Sequence, residues 1–459
     1  MSISSGPPRI GRVCVAIPLL VAFLAGRAPA ENKDISLEKE VTRYLEGAEG
    51  APGDTSFQVF WKDGLTFETG DKRFKLVIGG QVQVDWFFKD GDTRLNADFP
   101  GIEEDGVTFR RIRLHVKGTL YEIFDFVTEL EFAGSEAAVT GVTTTTDGEG
   151  DVTSVTTTTT RVGSVQLRNV YLGIKKLPVV GNLRVGHFKE PIGLDELTSS
   201  LSTLFMERSP LMAAFAPAFN TGVMAFDTEL EERLTWAVGF FRQTSEAGGG
   251  ADEDGAYALS LRVTGLPLQD RERNLLVHLG VSFSMRDPSG GRTRLRARPS
   301  VATGPRVLDT GNIANDSYVT LGVEVALVYG PFSIQGEYLM AQFDAPGDPA
   351  FGGFYVAASF WITGESRPYE ATKATFGRAK PKSEFRGGAG GWGAWEVAVR
   401  LTDLDLDDGT ILGGGLLDWV VGIHWHLNAS TRVLLDVVFA DVERSGKLTA
   451  VQMRFQIGF

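Results

Sequence analysis

The sequence predicts an all-β fold: a 16-stranded antiparallel transmembrane β-barrel with one loop folded into its interior. Three observations predict it. Polarity alternates from residue to residue in segments that recur along most of the chain. The candidate strands are even in number, and the gaps between them alternate between short and long. After residue 30 no apolar run reaches the roughly 20 residues that a spanning helix needs, although 43% of the 459 residues are hydrophobic and mean hydropathy is −0.02.

The alternation is plainest at the end, in Leu448 to Phe459. Val451, Met453, Phe455, Ile457 and Phe459 share one parity, and Gln452, Arg454 and Gln456 share the other. Successive side chains of a strand point to opposite faces, so one face is greasy and the other wet. Val82, Val84, Trp86 and Phe88 oppose Gln81, Gln83 and Asp85 in the same way, and Phe124, Phe126, Leu130 and Phe132 oppose Asp125, Glu129 and Glu131. Strands are expected near 74–88, 107–119, 122–133, 165–176, 181–188, 222–231, 233–243, 256–265, 274–286, 317–329, 331–343, 352–364, 392–403, 416–427, 430–442 and 447–459. Short turns alternating with long loops (134–164, 189–221, 287–316) are the barrel pattern. The gap 364–391 is long where a short turn is due. In lipid every backbone polar group must pair internally, so such strands must close into a ring. Trp86, Trp236, Trp361, Trp395, Trp419 and Trp425 are candidates for aromatic girdles at the two interfaces.

Upstream, residues 1–30 read as a signal peptide: Arg9 and Arg12, an apolar core from Val13 to Ala25, and the small-residue site Ala28-Pro29-Ala30. Cys14, the single cysteine, lies inside it. Residues 31–56 read as a short helical or flexible periplasmic segment, and 57–459 as the barrel, opening on a small hairpin at 57–68. Thr140 to Thr160 is low-complexity and reads as a flexible external loop. The net charge of −13 argues against nucleic acid as a partner. It leaves pore selectivity open, because that depends on the charges at the constriction. Outer-membrane lipid is the expected solvent, and the terminal Phe459 the expected handle for the barrel-assembly machinery.

The densest basic strand is FRRIRLHVK, Phe109 to Lys117. Ile112, Leu114 and Val116 hold the lipid parity, so Arg111, Arg113, His115 and Lys117 project inward. A cation turned toward the bilayer midplane would cost about 2–4 kcal/mol. Arg110 has the wrong parity and belongs at the rim or on a bulge. These cations attract anions, pair with Asp125, Glu129 and Glu131 on the adjoining strand, or do both. Arg292, Arg294, Arg296 and Arg298 fall on one side of an extended loop, where guanidinium forks suit phosphate. The segment from His187 to Asn220 is too apolar to dangle: Phe205, Met206, Leu211, Phe215 and Phe219 need something to pack on, so it is expected to fold into the lumen. Enzyme constellations are weak. His424 and His426 lack metal spacing, LTDLDLDDG (401–409) reads as an acidic external loop, and neither catalytic residues nor a cofactor are expected.

Five blocks in order resemble the phosphate- and pyrophosphate-selective porins O and P: FRRIRLHVKGTL, GNLRVGHFKEPIGLDELTSS, FYVAASFWITGESRPY, WGAWEVAVRLTDLDL and VVGIHWHLNASTRVLLDVVFADV. The resemblance spans about Phe57 to Phe459. It implies a homotrimer in the outer membrane, a constriction built on Arg110 and Arg111, and a loading ladder of Arg294, Arg296 and Arg298. Arg113 and Lys117 join the inward anion-binding set, and Glu190, Asp195 and Glu196 fall in the constriction loop. Phosphate-selective members carry a lysine where this chain has Glu196, and an acid there is expected to repel phosphate. The expected function is a passive outer-membrane diffusion channel biased toward small anions. The alternative is a general or carbohydrate-passing porin whose arginines and acids set up a transverse field.

Overall fold

Strands greasy on one side and wet on the other find a stable arrangement in lipid by pairing into a ring. A computed structural model shows that ring and describes residues 56–133, 136–146, 152–163, 165–245, 248, 256–387 and 390–459. The expected signal peptide and the segment at 31–55 lie outside the described residues. Sixteen staves form the barrel: β1 (Phe74–Gly91), β2 (Gly106–Leu120), β3 (Phe124–Glu131), β4 (Gln166–Leu177), β5 (Gly181–Lys189), β6 (Phe219–Glu229), β7 (Leu234–Arg242), β8 (Tyr257–Asp270), β9 (Leu275–Arg286), β10 (Ser317–Tyr329), β11 (Phe332–Asp344), β12 (Ala350–Trp361), β13 (Ala394–Asp408), β14 (Ile411–His426), β15 (Thr431–Val442) and β16 (Gly446–Gly458). Each pairs antiparallel with its neighbours, and β16 closes on β1 with Leu448 opposite Gly91 and Gly458 opposite Gln81.

The chain end is stitched into the wall. Phe459 N–H donates to the Gly80 carbonyl at 2.9 Å, and Gly80 N–H donates back at 2.6 Å. Directly beneath, the hairpin Phe57–Trp61 and Leu65–Thr69 continues the sheet, with Leu65 opposite Ile78 of β1.

Burial is inverted relative to a water-soluble protein. Leu172 is 70% exposed, Phe88 61% and Val323 56%, whereas Asp85, His424 and Arg454 are 0% exposed inside. Alternation weakens in the outer halves of β11 to β16, where the inner face is apolar as well. Leu339, Phe343, Leu404, Val420 and Val438 are buried there against Leu211, Phe215 and Leu308 of the inward loops. That face touches protein rather than water, so the polar half of the pattern is unnecessary. Trp361 departs from its expected girdle position, because it packs inside against His426 at 4.7 Å.

Two further expectations are corrected. The acidic run near residue 405 is the end of β13 rather than a loop: Leu404 and Leu406 are buried inward, Asp403 and Asp405 face out, and only residues 409–410 turn. The threonine-rich segment is an antiparallel ribbon, Glu136–Thr146 with Val152–Gly163. β-branched residues such as its threonines and valines suit an extended strand.

Candidate functional site

The apolar segment after β5 crosses the lumen, and polar inward side chains of the wall hold it. Glu190 anchors its base. This buried carboxylate accepts from Asn220 Nδ2 at 2.7 Å and Ser260 Oγ at 2.5 Å, and it pairs with Arg286 at 2.7 Å. Gly193 then turns with φ +78°, a region that favours glycine. A Cβ there would sit 3.0 Å from Met212 Sδ and 3.1 Å from Glu337 Oε2. The turn lets the backbone N–H groups of Leu194 and Asp195 each donate to Glu337 of β11 at 2.7 Å. Asp195 accepts from Ser209 N–H at 3.0 Å. Ser209 caps the short helix Pro210–Phe215 by accepting from Leu211 N–H at 3.3 Å, with Pro210 in the first turn. On the far side, Asp436 accepts from Met206 N–H at 2.9 Å and Arg432 donates to the Thr203 carbonyl at 2.9 Å. Glu190 and Asp195 therefore act as fastenings of the crossing loop.

Glu196 was expected to repel anions, and its surroundings alter that expectation. It pairs with Lys189 at 2.7 Å and Arg208 at 3.4 Å. Burial pushes the carboxyl up, but Arg208 and Lys189 outweigh it and hold the pKa below the usual range. The carboxylate is thus engaged by its neighbours rather than standing alone.

The eyelet lies where this loop meets β1, β2 and β16. In the β1–β2 register Gln83 faces Arg111 and Val84 faces Phe109, which leaves Arg110 as the extra residue of a β-bulge. This bulge turns Arg110 inward despite its parity. Its fork grips Glu207 of the loop, Nε to Oε1 at 2.8 Å and Nη2 to Oε2 at 2.9 Å. Glu207 Oε1 also accepts from Arg454 Nη2 at 2.8 Å, and Arg454 holds both oxygens of Asp85 at 2.7 Å. Arg400 fixes the Glu207 carbonyl at 3.0 Å. Arg111 donates through Nη1 to Gln83 at 2.6 Å, while its Nε has no hydrogen-bond partner among the described residues. Burial pushes the Glu207 carboxyl up, yet Arg110 and then Arg454 hold it well below the usual carboxylate range. Glu207, Asp85 and Arg454 escaped the sequence reading. Asp85 and Arg454 share the inward parity, but only the closing register of β16 on β1 makes them partners.

Above the eyelet, residues 287–316 form a second inward loop. Ser300 docks it: its N–H and Oγ donate to Asp418 at 3.0 and 2.5 Å, and its carbonyl accepts from Gln452 at 2.8 Å. Its arginines differ in their surroundings. Arg294 is forked onto Asp309 across the loop. The Arg296 backbone pairs with Asp309, and its side chain makes no hydrogen bond or ion pair among the described residues. Arg298 reaches the Ala302 carbonyl at 3.4 Å and lies within electrostatic reach of Glu207 and Arg110. Arg306, absent from the sequence-based set, joins them. Burial, and then Arg296 and Arg298, lower its pKa.

Below the eyelet is a chamber of about 1240 Å³ whose lining includes Arg113, His115, Lys117, Arg184, Lys373 and Arg378. Arg113 pairs with Glu131 at 2.6 Å and with Glu129 at 3.6 Å, as one of the two sequence-based readings has it. The long segment 362–387 folds up into this chamber from the opposite end. Its Tyr369 hydroxyl meets His278 Nδ1 at 2.6 Å, Arg367 donates to Gln335 at 2.5 Å, and the Ala374 carbonyl accepts from Arg262 at 2.9 Å. No group of three His, Cys, Asp or Glu suited to a metal occurs among the described residues.

The family model for phosphate-selective porin O and P matches residues 77–459. Porin O of Pseudomonas aeruginosa is 26% identical over 418 residues, covering 83% of this chain and 86% of that protein. An uncharacterized protein of Caulobacter vibrioides is 27% identical over 418 residues, covering 86% and 75%. Among solved structures, the high-pH form of Pseudomonas putida OprB superposes with a TM-score of 0.51 at 9% identity over 85% of this chain and 95% of that one, which supports the fold.

Proposed function

The chain belongs to the phosphate-selective porin O and P family, and on that premise we propose that its outer-membrane channel is biased toward phosphate, polyphosphate or similar small anions. One observation carries this reading. At the eyelet Arg110, Arg111, Arg298 and Arg454 stand against Asp85 and Glu207, an excess of two positive charges. Inside a narrow low-dielectric tube that excess favours anions and replaces part of their hydration. Arg296, Arg298 and Arg306 would collect anions at the mouth, and Arg113 and Lys117 would receive them below. Export by the segment 1–30, assembly through Phe459 and a homotrimeric state belong to the same proposal.

Reversal potentials in a potassium chloride gradient across planar bilayers test it. An anion-preferring potential is expected, and a cation-preferring one would overturn it. A second reading, passage of carbohydrate, is favoured by the aromatic surface of the lower chamber, where Arg184 lies 4.0 Å from the Tyr171 ring and 4.8 Å from that of Phe226. Saturable block by an oligosaccharide, with none by phosphate, would favour it.

A further inference from the structure

The constriction holds an anion of its own. The fork of Arg110 is the part of the eyelet best shaped to take a phosphate, since it offers two parallel N–H donors on a side chain that is 32% exposed. Both donors are taken by the Glu207 carboxylate, whose Oε1 also receives Arg454. Glu207 is on the crossing loop, 13% exposed, with its backbone fixed by Arg400. It therefore stands where a permeating oxyanion would stand, with the same two-oxygen geometry. Its ionised state is secure, because Arg110 and Arg454 hold its pKa well below the usual range against the opposing effect of burial. Among the described residues the Nε atoms of the buried Arg111 and Arg400 have no hydrogen-bond partner.

We propose that Glu207 is a tethered counter-anion that competes with the permeating anion for Arg110. This rests on the anion-channel reading and deepens it: the pore discriminates by exchange of one carboxylate for another anion rather than by an open cationic trap. A site already filled by a tethered rival binds a solute weakly and releases it fast, as throughput requires. The fastening of Arg454 to Asp85 lets Glu207 swing away without stranding an unpaired guanidinium on the wall.

The test uses the full-length channel in planar bilayers, with inorganic phosphate titrated against a chloride current. In Glu207→Gln the half-blocking phosphate concentration should fall about tenfold, and the gain should disappear when Arg110→Ala is added. An anion-selective Glu207→Gln pore with unchanged half-block would overturn the role of Glu207 and leave the anion channel standing. A wild-type pore that prefers cations would overturn the anion channel itself. Loosening of the crossing loop would raise conductance for potassium and chloride alike with no tighter phosphate block, and that result also overturns the proposal. Glu207→Asp, which keeps the charge, should keep the half-block nearer to wild type than Glu207→Gln does.

Discussion

At the scale of single residues, the same chemical group does different work according to what faces it. Glu190 is spent on donors of the wall, Asp195 and Glu337 on backbone donors of the inward loop, and Glu196 and Glu207 on cations. Glu337 is the clearest fastening, because two backbone N–H groups converge on it at a glycine turn. A hydrogen bond contributes about 0.5–1.5 kcal/mol net, and a buried donor left without its acceptor costs about 1–3 kcal/mol. Glu337→Ala should therefore detach the start of the loop while leaving the barrel closed. The expected readout is normal heat-modifiable migration in detergent gels combined with noisy, enlarged single-channel conductance. A quiet pore of unchanged size would show that the fastening is dispensable. Arg111 differs, since its one side-chain hydrogen bond is to a neutral amide and its charge is free to act on the passage. Arg111→Ala should lower the chloride-to-potassium permeability ratio severalfold, and an unchanged ratio would remove it from the filter.

At the scale of elements, legibility follows from what each face touches. Staves with lipid outside and water inside, such as β1 and β16, announce themselves by parity, and even the bulge at Arg110 follows from a parity conflict. The outer halves of β13 to β15 announce less, because Leu404, Val420 and Val438 face protein on the side where water was expected. The partners of the eyelet arginines were illegible for a different reason. Glu207 reaches Arg110 across 97 positions and Arg454 across 247, and no local spacing encodes such a contact. The gap 364–391 was visible only as an irregular length. In the structure its part up to residue 387 is a second plug, held by Tyr369, Arg367 and the Ala374 carbonyl. Replacing 366–381 with a short glycine-containing turn should leave the staves paired and raise single-channel conductance, since the lower chamber would lose one wall. Unaltered conductance would mean that the narrowest point lies wholly at the eyelet.

At the scale of the whole molecule, an acidic chain carries a cationic gate. The net charge is −13, and some of its acids, such as Asp403 and Asp405, face outward away from the lumen. Selectivity should then follow the eyelet rather than the total. The pH dependence separates the two, because surface carboxylates titrate in the ordinary range near pH 4 whereas Glu207 titrates lower. A carboxyl whose folded pKa is depressed keeps its ion pair at all pH values above its unfolded pKa and loses it as pH falls through the lower folded value. The difference in phosphate block between wild type and Glu207→Gln should accordingly stay constant from about pH 8 to pH 5, whatever the changing charge of phosphate does to both pores. It should close only under stronger acid, when Glu207 itself takes a proton and frees the fork of Arg110. Half-block measured for both pores across that range decides it: a gap that closes between pH 7 and 6 would mean that the carboxylate is not held by Arg110 and Arg454 in the membrane.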